Sequence, residues 1–220
     1  MDYMQSIRES ALEPHQYRFG MAGENQDDTI ERFLRLHDKG IALNLGSGGN
    51  YQRQQNIGQL VKKVIAGDLY KPIIKNLDEE GKNRDEIKPY TDFGAMNLLL
   101  KGQPQRNLYL SILDAKNLPF RTESIDIILL LGVFNALRQE SLKCQSEYTG
   151  SDFVNQVIGE CYRVNKQKSH LLICNNVLEP KQDYIQIIQD KGYEIIETLE
   201  GKDAEGHTGS LGRYLLVCER

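Results

Sequence analysis

The residue types and spacings that could do chemistry begin at a glycine loop. Gly46-Ser47-Gly48-Gly49 follows the run Ile41-Ala42-Leu43-Asn44-Leu45, apolar at four of its five positions. That is the pattern of a buried parallel strand entering a loop where a ligand lies against bare backbone, since glycine has no Cβ to hold it off. Three ligand classes use such loops: nucleoside triphosphates, dinucleotides and S-adenosylmethionine (SAM). A triphosphate loop needs GxxxxGK followed by Ser or Thr, and no stretch of the chain supplies it. The dinucleotide fingerprint GxGxxG would place its third glycine at position 51, which is Tyr51. A side chain there holds the following helix away from the strand. Asp68 is the second signal. It closes the run Val64-Ile65-Ala66-Gly67, 20 residues beyond Gly48. In a doubly wound sheet these two strand ends are neighbours, so the carboxylate can accept hydrogen bonds from both hydroxyls of a ribose crossing the loop. That suits a dinucleotide and SAM alike.

A third signal separates the two. Residues 114–126 read DAKNLPFRTESID and continue into IILLLGVF. An acid follows the third strand, a Leu-Pro-Phe turn comes next, and Asp126 opens a fourth strand. Together with LNLGSGG and GDL, this closely resembles the class I SAM-dependent methyltransferases, in particular the type 11-like group that shares a D-A-x-x-L-P-F segment. The resemblance spans roughly residues 41–218. It implies that Gly46, Ser47 and Gly48 bring backbone against the methionine part of SAM, that Asp68 holds the ribose and that Leu69 lies against adenine. It also implies that Asp114 accepts the adenine amino group, that the Ala115 N–H meets a ring nitrogen, and that Leu130 and Leu131 border the methionine end. Three letters depart from the family pattern. Asn44 stands where an acid is common, Asn50 replaces a third glycine, and ECYRVNKQKSH keeps Glu160, Arg163, Val164 and Lys166 but lacks a Pro-Gly-Gly turn.

Methyl transfer from a sulfonium is an SN2 displacement at an activated carbon, in which alignment and exclusion of water supply much of the rate. A general base is needed only where the acceptor carries a proton. The candidates are His207 and Tyr148, with His15 and Tyr17 in the N-terminal arm; Asn135 stands where relatives often carry histidine. No acidic cluster suggests a metal, and the expectation is metal-independent transfer to a small-molecule acceptor. The alternative is a protein of this fold that binds a ligand or partner without transferring methyl groups.

The elements that must position these residues follow from periodicity and punctuation. Residues 1–40 read as a helical arm or cap: Ser6–Leu12, then a helix capped at Asp27-Asp28-Thr29 with Ile30, Phe33, Leu34 and Leu36 on one face, stopped by Gly40. Strands are expected at 41–45, 64–66, 108–112, 126–131, 170–174, 193–199 and 213–218. Helices are expected at 72–80, in AMNLLLKG, from Ser151 to Val164 and around 184–189. Residues 41–220 then form one SAM-binding domain with an insertion at about 81–106, which contains Tyr90, Asp92 and Phe93. The fold class is α/β: a Rossmann-like three-layer sandwich around a mostly parallel seven-stranded sheet with an antiparallel last strand.

Totals agree with a soluble domain. The chain has 220 residues, 40% apolar and 26% charged, with a net charge of −4 and no basic stripe, which argues against nucleic acid. Neither a secretory leader nor a membrane-length apolar run is visible, so a cytoplasmic monomer or homodimer is expected. Cys144, Cys161, Cys174 and Cys218 are too widely spaced for zinc and read as free thiols.

Overall fold

A computed structural model describes residues 18–19, 24–37, 40–47, 51–68, 107–131, 133–134, 150–176, 181–202 and 213–220. The strands are β1 (Arg18–Phe19), β2 (Glu24–Asn25), β3 (Ile41–Leu45), β4 (Lys63–Asp68), β5 (Leu108–Ile112), β6 (Ile125–Leu131), β7 (Asn165–Asn176), β8 (Glu194–Lys202) and β9 (Arg213–Glu219). The helices are α1 (Gln26–Leu36), α2 (Tyr51–Leu60), α3 (Gly150–Val164) and α4 (Lys181–Asp190).

All strands join one sheet in the order β2-β1-β8-β9-β7-β6-β3-β4-β5. The neighbours β5-β4-β3-β6-β7 pair parallel, and β9 runs antiparallel between β7 and β8. The seven expected strands are therefore β3 to β9, with the last one reversed. The two-residue strands β1 and β2 extend the β8 edge, Arg18 opposite Lys202 and Phe19 opposite Gly201. These residues fall in the arm read as helical; with so few residues and no alternation to detect, such strands leave no periodic signal.

Side chains alternate across the sheet, which is why continuous apolar runs make good central strands. On one face Leu43, Leu45, Ile128, Leu130, Leu171 and Ile173 pack with Val154, Val157, Ile158 and Cys161 of α3 and Ile188 of α4. On the other, Ala42, Ile127, Leu129 and Leu172 pack with Ile30, Phe33 and Leu34 of α1 and Ile57 of α2. Three layers result, with a core on each side of the sheet. Burying each such aliphatic side chain contributes about 1.5–3 kcal/mol.

Several local expectations shift. Leu36 is 72% exposed: at 3.6 residues per turn it falls past Phe33, outside the arc that Ile30, Phe33 and Leu34 bury, and it is the last residue of α1. Strand β7 starts at Asn165, not His170. It absorbs the segment lacking Pro-Gly-Gly by a bulge between the Ile125–Asn165 and Ile127–His170 pairs, with Lys168 at φ 57° and the Ser169 hydroxyl donating to Lys166 O at 2.6 Å. Helix α2, YQRQQNIGQL, is not among the expected helices. Its buried side chains, Arg53, Gln54 and Ile57, with Val61 just past its end, keep helical spacing but two are polar, so hydrophobic periodicity misses it. The parallel β3–β4 pair is the signal that finds it, since parallel neighbours need a crossover connection. The helices expected at 72–80 and in AMNLLLKG, and the insertion, lie outside the described residues.

Candidate functional site

Strand order fixes where a ligand can enter. From β3 the chain steps outward to β4 and β5, then returns to lay β6 and β7 on the other side of β3. The switch point lies between β3 and β6, and ligands of open α/β sheets bind beyond the carboxyl ends of the strands there. Register brings the predicted residues to that edge: Leu45 lies opposite Gly67 and Leu130, Asp68 opposite Ile112, and Leu131 opposite Cys174. Leu130 is fully buried and Leu131 half-buried at the rim.

The loop that leaves β3 is built for close approach. Gly46 has φ 63°, and a Cβ added to it would meet Val133 Cγ2 at 2.7 Å. Ser47 is 4% exposed, and its N–H donates to Gly67 O at 3.2 Å, tying the loop to β4. Gly67 in turn leaves room for Leu113, whose side chain occupies the space a Cβ there would need. The absence of one side chain thus packs the end of β4 against the segment carrying Asp114.

Beneath the loop lie polar groups that hydrophobic reasoning alone would not place there. Asn44 and Gln54 are both 0% exposed. Both amide atoms of each, and the Ser47 hydroxyl, meet no hydrogen-bond partner among the described residues. Asn44 shares the face of β3 occupied by Ala42, the face on which α2 packs, so the orphaned amides come from a strand end and a helix start that flank one loop. A buried amide without a partner costs about 1–3 kcal/mol. Such groups are found where a ligand or water completes them. A bare-backbone cradle above buried donors and acceptors fits the zwitterionic methionine end of SAM.

Asp114 and Ala115 lie just past β5 in a tight turn. The Asp114 carboxylate accepts the Lys116 N–H at 2.9 Å, its carbonyl accepts the Asn117 N–H at 3.0 Å, and Lys116 Nζ is 4.0 Å from Oδ2. The Lys116 ammonium also sits 5.0 Å from the Phe153 ring centre on α3. Beyond the turn, the Leu118 N–H donates to Glu160 Oε2 at 2.8 Å, while Arg163 donates to Leu118 O and Phe120 O, each at 2.8 Å. Arg163 also donates to both Glu160 oxygens at 2.8 Å. The Arg163 hydrogen bonds hold the Glu160 carboxyl below its usual range, and Glu160 raises Arg163. Both motifs are legible in the sequence; that one clasps the other is not.

The last acid of the segment has a different task. Asp126 lies at the amino ends of the strands, where it accepts the Ile41 N–H at 2.7 Å and pairs with Lys166 Nζ at 2.5 Å. It starts β3 and β6 in register, at the end of the sheet opposite the site. Cys161, Cys174 and Cys218 are buried and in no disulfide, and burial pushes the Cys218 thiol up to about 12 and Cys161 higher. Gly48, Leu69, Asn50, Asn135, His207, Tyr148, His15 and Tyr17 lie outside the described residues. Among those described, no group of three His, Cys, Asp or Glu side chains is arranged for a metal, and no helix is long and apolar enough to cross a membrane.

No family model matches the chain, and no curated protein does either. Solved structures do. A SAM-dependent methyltransferase from Aquifex aeolicus matches at 12% identity and TM-score 0.58, over 99% of this chain and 98% of that one. The cyclase SpnF matches at 11% and 0.62, over 99% and 92%. A SAM-dependent methyltransferase from Clostridium acetobutylicum matches at 11% and 0.60, over 88% and 89%. At such identities the likeness is one of architecture, and it agrees with the strand order found here: the chain has the class I SAM-dependent methyltransferase fold.

Proposed function

We propose that this chain is a SAM-dependent methyltransferase that acts on a small-molecule acceptor. The observation that carries this reading is a convergence. The Gly46 turn, Asp68 and Asp114, far apart in sequence, arrive on three adjacent parallel strands at their carboxyl ends, beside the switch point.

When bound, SAM supplies a methyl carbon activated by its sulfonium. The chain's part is to bind, orient and dry it. Backbone at Gly46, Ser47 and Gly48 takes the methionine end, with Asn44 and Gln54 offering amides in place of a charged acid. Asp68 accepts from the ribose hydroxyls, and Leu69 lies against the base. Asp114 and the Ala115 N–H take the adenine edge. Leu130 and Leu131 close the apolar rim, excluding water from the line of attack. A base, where the acceptor needs one, is supplied by His207, Tyr148, His15 or Tyr17.

Calorimetric titration with S-adenosylhomocysteine (SAH) tests the reading. Binding that is lost in Asp68→Ala supports it, and a folded chain with no binding sinks it. A screen of metabolite extracts with donor-labelled SAM then identifies the acceptor. A second reading, a SAM-fold protein that transfers no methyl group, is favoured by the likeness to SpnF, whose name is that of a cyclase. SAH binding with no labelled product across the screen would select it.

A further inference from the structure

The residues that would touch adenine, Asp114 and Ala115, sit on a connection with no helix of its own. Residues 113–124 run from β5 to β6 without regular structure. Such a segment is a poor platform for hydrogen-bond readout, which needs donors and acceptors held within a fraction of an ångström. What holds it is a pair of side chains on the last turn of α3. The Leu118 N–H and C=O are both engaged, one by Glu160 Oε2 and the other by Arg163, and Phe120 O takes a further Arg163 nitrogen, all at 2.8 Å. Arg163 is itself fixed by a two-point contact with Glu160, at 2.8 Å to each oxygen. The planar guanidinium fork is suited to this, because its donors diverge in fixed directions. Leu118 is 2% exposed, so the clasp also sets its side chain in the core. From Leu118 back to Asp114 the only slack is a turn closed at Asn117 N–H to Asp114 O and Lys116 N–H to Asp114 Oδ1.

We infer that Glu160 and Arg163 are positioning residues for base recognition: through Leu118 and Phe120 they fix the turn that aims Asp114 and Ala115, and so set how sharply the site tells adenine from other purines. The inference rests on the SAM reading and deepens it. Asp114 can accept a hydrogen bond from the 6-amino group of adenine but repels the 6-oxo group of hypoxanthine, and that difference survives only while the carboxylate is held in place.

The test compares affinities for SAH and S-inosylhomocysteine, measured by calorimetry on the full chain. Wild type, Asp114→Asn, Arg163→Met, Arg163→Lys and Glu160→Gln are compared, each checked for folding by thermal melting. The quantity read is the ratio of the two affinities, which general destabilisation would not move. The ratio should fall at least tenfold in Asp114→Asn and comparably in Arg163→Met. Arg163→Lys, able to reach only one carbonyl, should restore part of it. Should Arg163→Met fail to fold, Arg163→Lys and Glu160→Gln carry the same test. A ratio that collapses in Asp114→Asn but is unchanged in folded Arg163 and Glu160 variants overturns the positioning role and leaves the adenine reading intact. A ratio unchanged in Asp114→Asn overturns the adenine reading itself, and the positioning role with it.

Discussion

The two walls of the site are finished to different degrees. On the side proposed for adenine, Asp114 to Phe120 is fastened by charged hydrogen bonds, given to Glu160 and received from Arg163, and by its own turn. On the loop side, Asn44, Ser47 and Gln54 are buried with five side-chain atoms that meet no partner among the described residues. A wall whose polar groups are already paired is rigid before any ligand arrives. A wall with orphaned groups gains its hydrogen bonds from whatever binds, and is less stable until then. On the proposed reading, a base edge fastened in advance thus stands next to a loop that the ligand would complete.

The strongest way to break the loop wall is Gly46→Val. Its φ of 63° disfavours a β-branched residue, and the new side chain would collide with Val133. Left-handed strain and overpacking together cost about 2–5 kcal/mol, and the added bulk occupies the approach to the backbone. SAH affinity should fall by at least ~100-fold, together with a lower melting temperature. Undiminished binding would show that nothing approaches this backbone. Next in size is Asp68→Ala, between the two walls on β4. Losing hydrogen bonds to a carboxylate costs about 1.5–3 kcal/mol, or roughly 10- to 150-fold in SAH affinity, with the fold unaffected. An equal loss of thermal stability without ligand would assign Asp68 to structure instead.

Asn44→Leu sharpens the contrast, because the two walls predict opposite signs. Removing an orphaned buried amide should stabilise the free chain by about 1 kcal/mol, a few degrees in melting temperature. The stabilisation that SAH adds should shrink at the same time. A free chain that is instead destabilised would mean that Asn44 already has its partners.

How much of this the sequence discloses depends on whether a residue's task is local. Continuous apolar runs and strand ends are local, so β3, β5, β6 and β9 stand within a residue of where those runs place them; Asp68 ends β4, Gly46 follows β3, and Asp114 lies just past β5. Helix α2 is hidden because its buried face uses Arg53 and Gln54, polar residues that break the apolar stripe a helix is read from. The clasp is hidden for another reason. Glu160 and Leu118 are 42 residues apart and no periodicity joins them; only the packing of α3 beside the β5–β6 connection does. Asp126 shows the reverse error to guard against: an acid inside a site-bearing motif can serve the far end of the sheet.

The smallest effect probes the finished wall through pH. In the folded chain Glu160 gives up its proton more readily than in the unfolded chain, chiefly because Arg163 donates to it, with the Leu118 N–H adding in the same direction against the cost of burial. As pH falls through the carboxylate range the unfolded state therefore takes up its proton first, and stability declines. The contribution of the clasp is complete above the unfolded value of about 4.3 and is lost as pH drops through the lower, folded one. Glu160→Gln cannot titrate and keeps similar volume, so it removes this dependence. Urea melts should show wild type more stable than Glu160→Gln at pH 7, with the gap narrowing from about pH 5 downward as the pH falls toward and through the lowered folded value. The absence of a gap at pH 7 would mean Glu160 stabilises by shape alone, and the finished wall would then owe its rigidity to the Arg163–carbonyl bonds rather than to the ion pair.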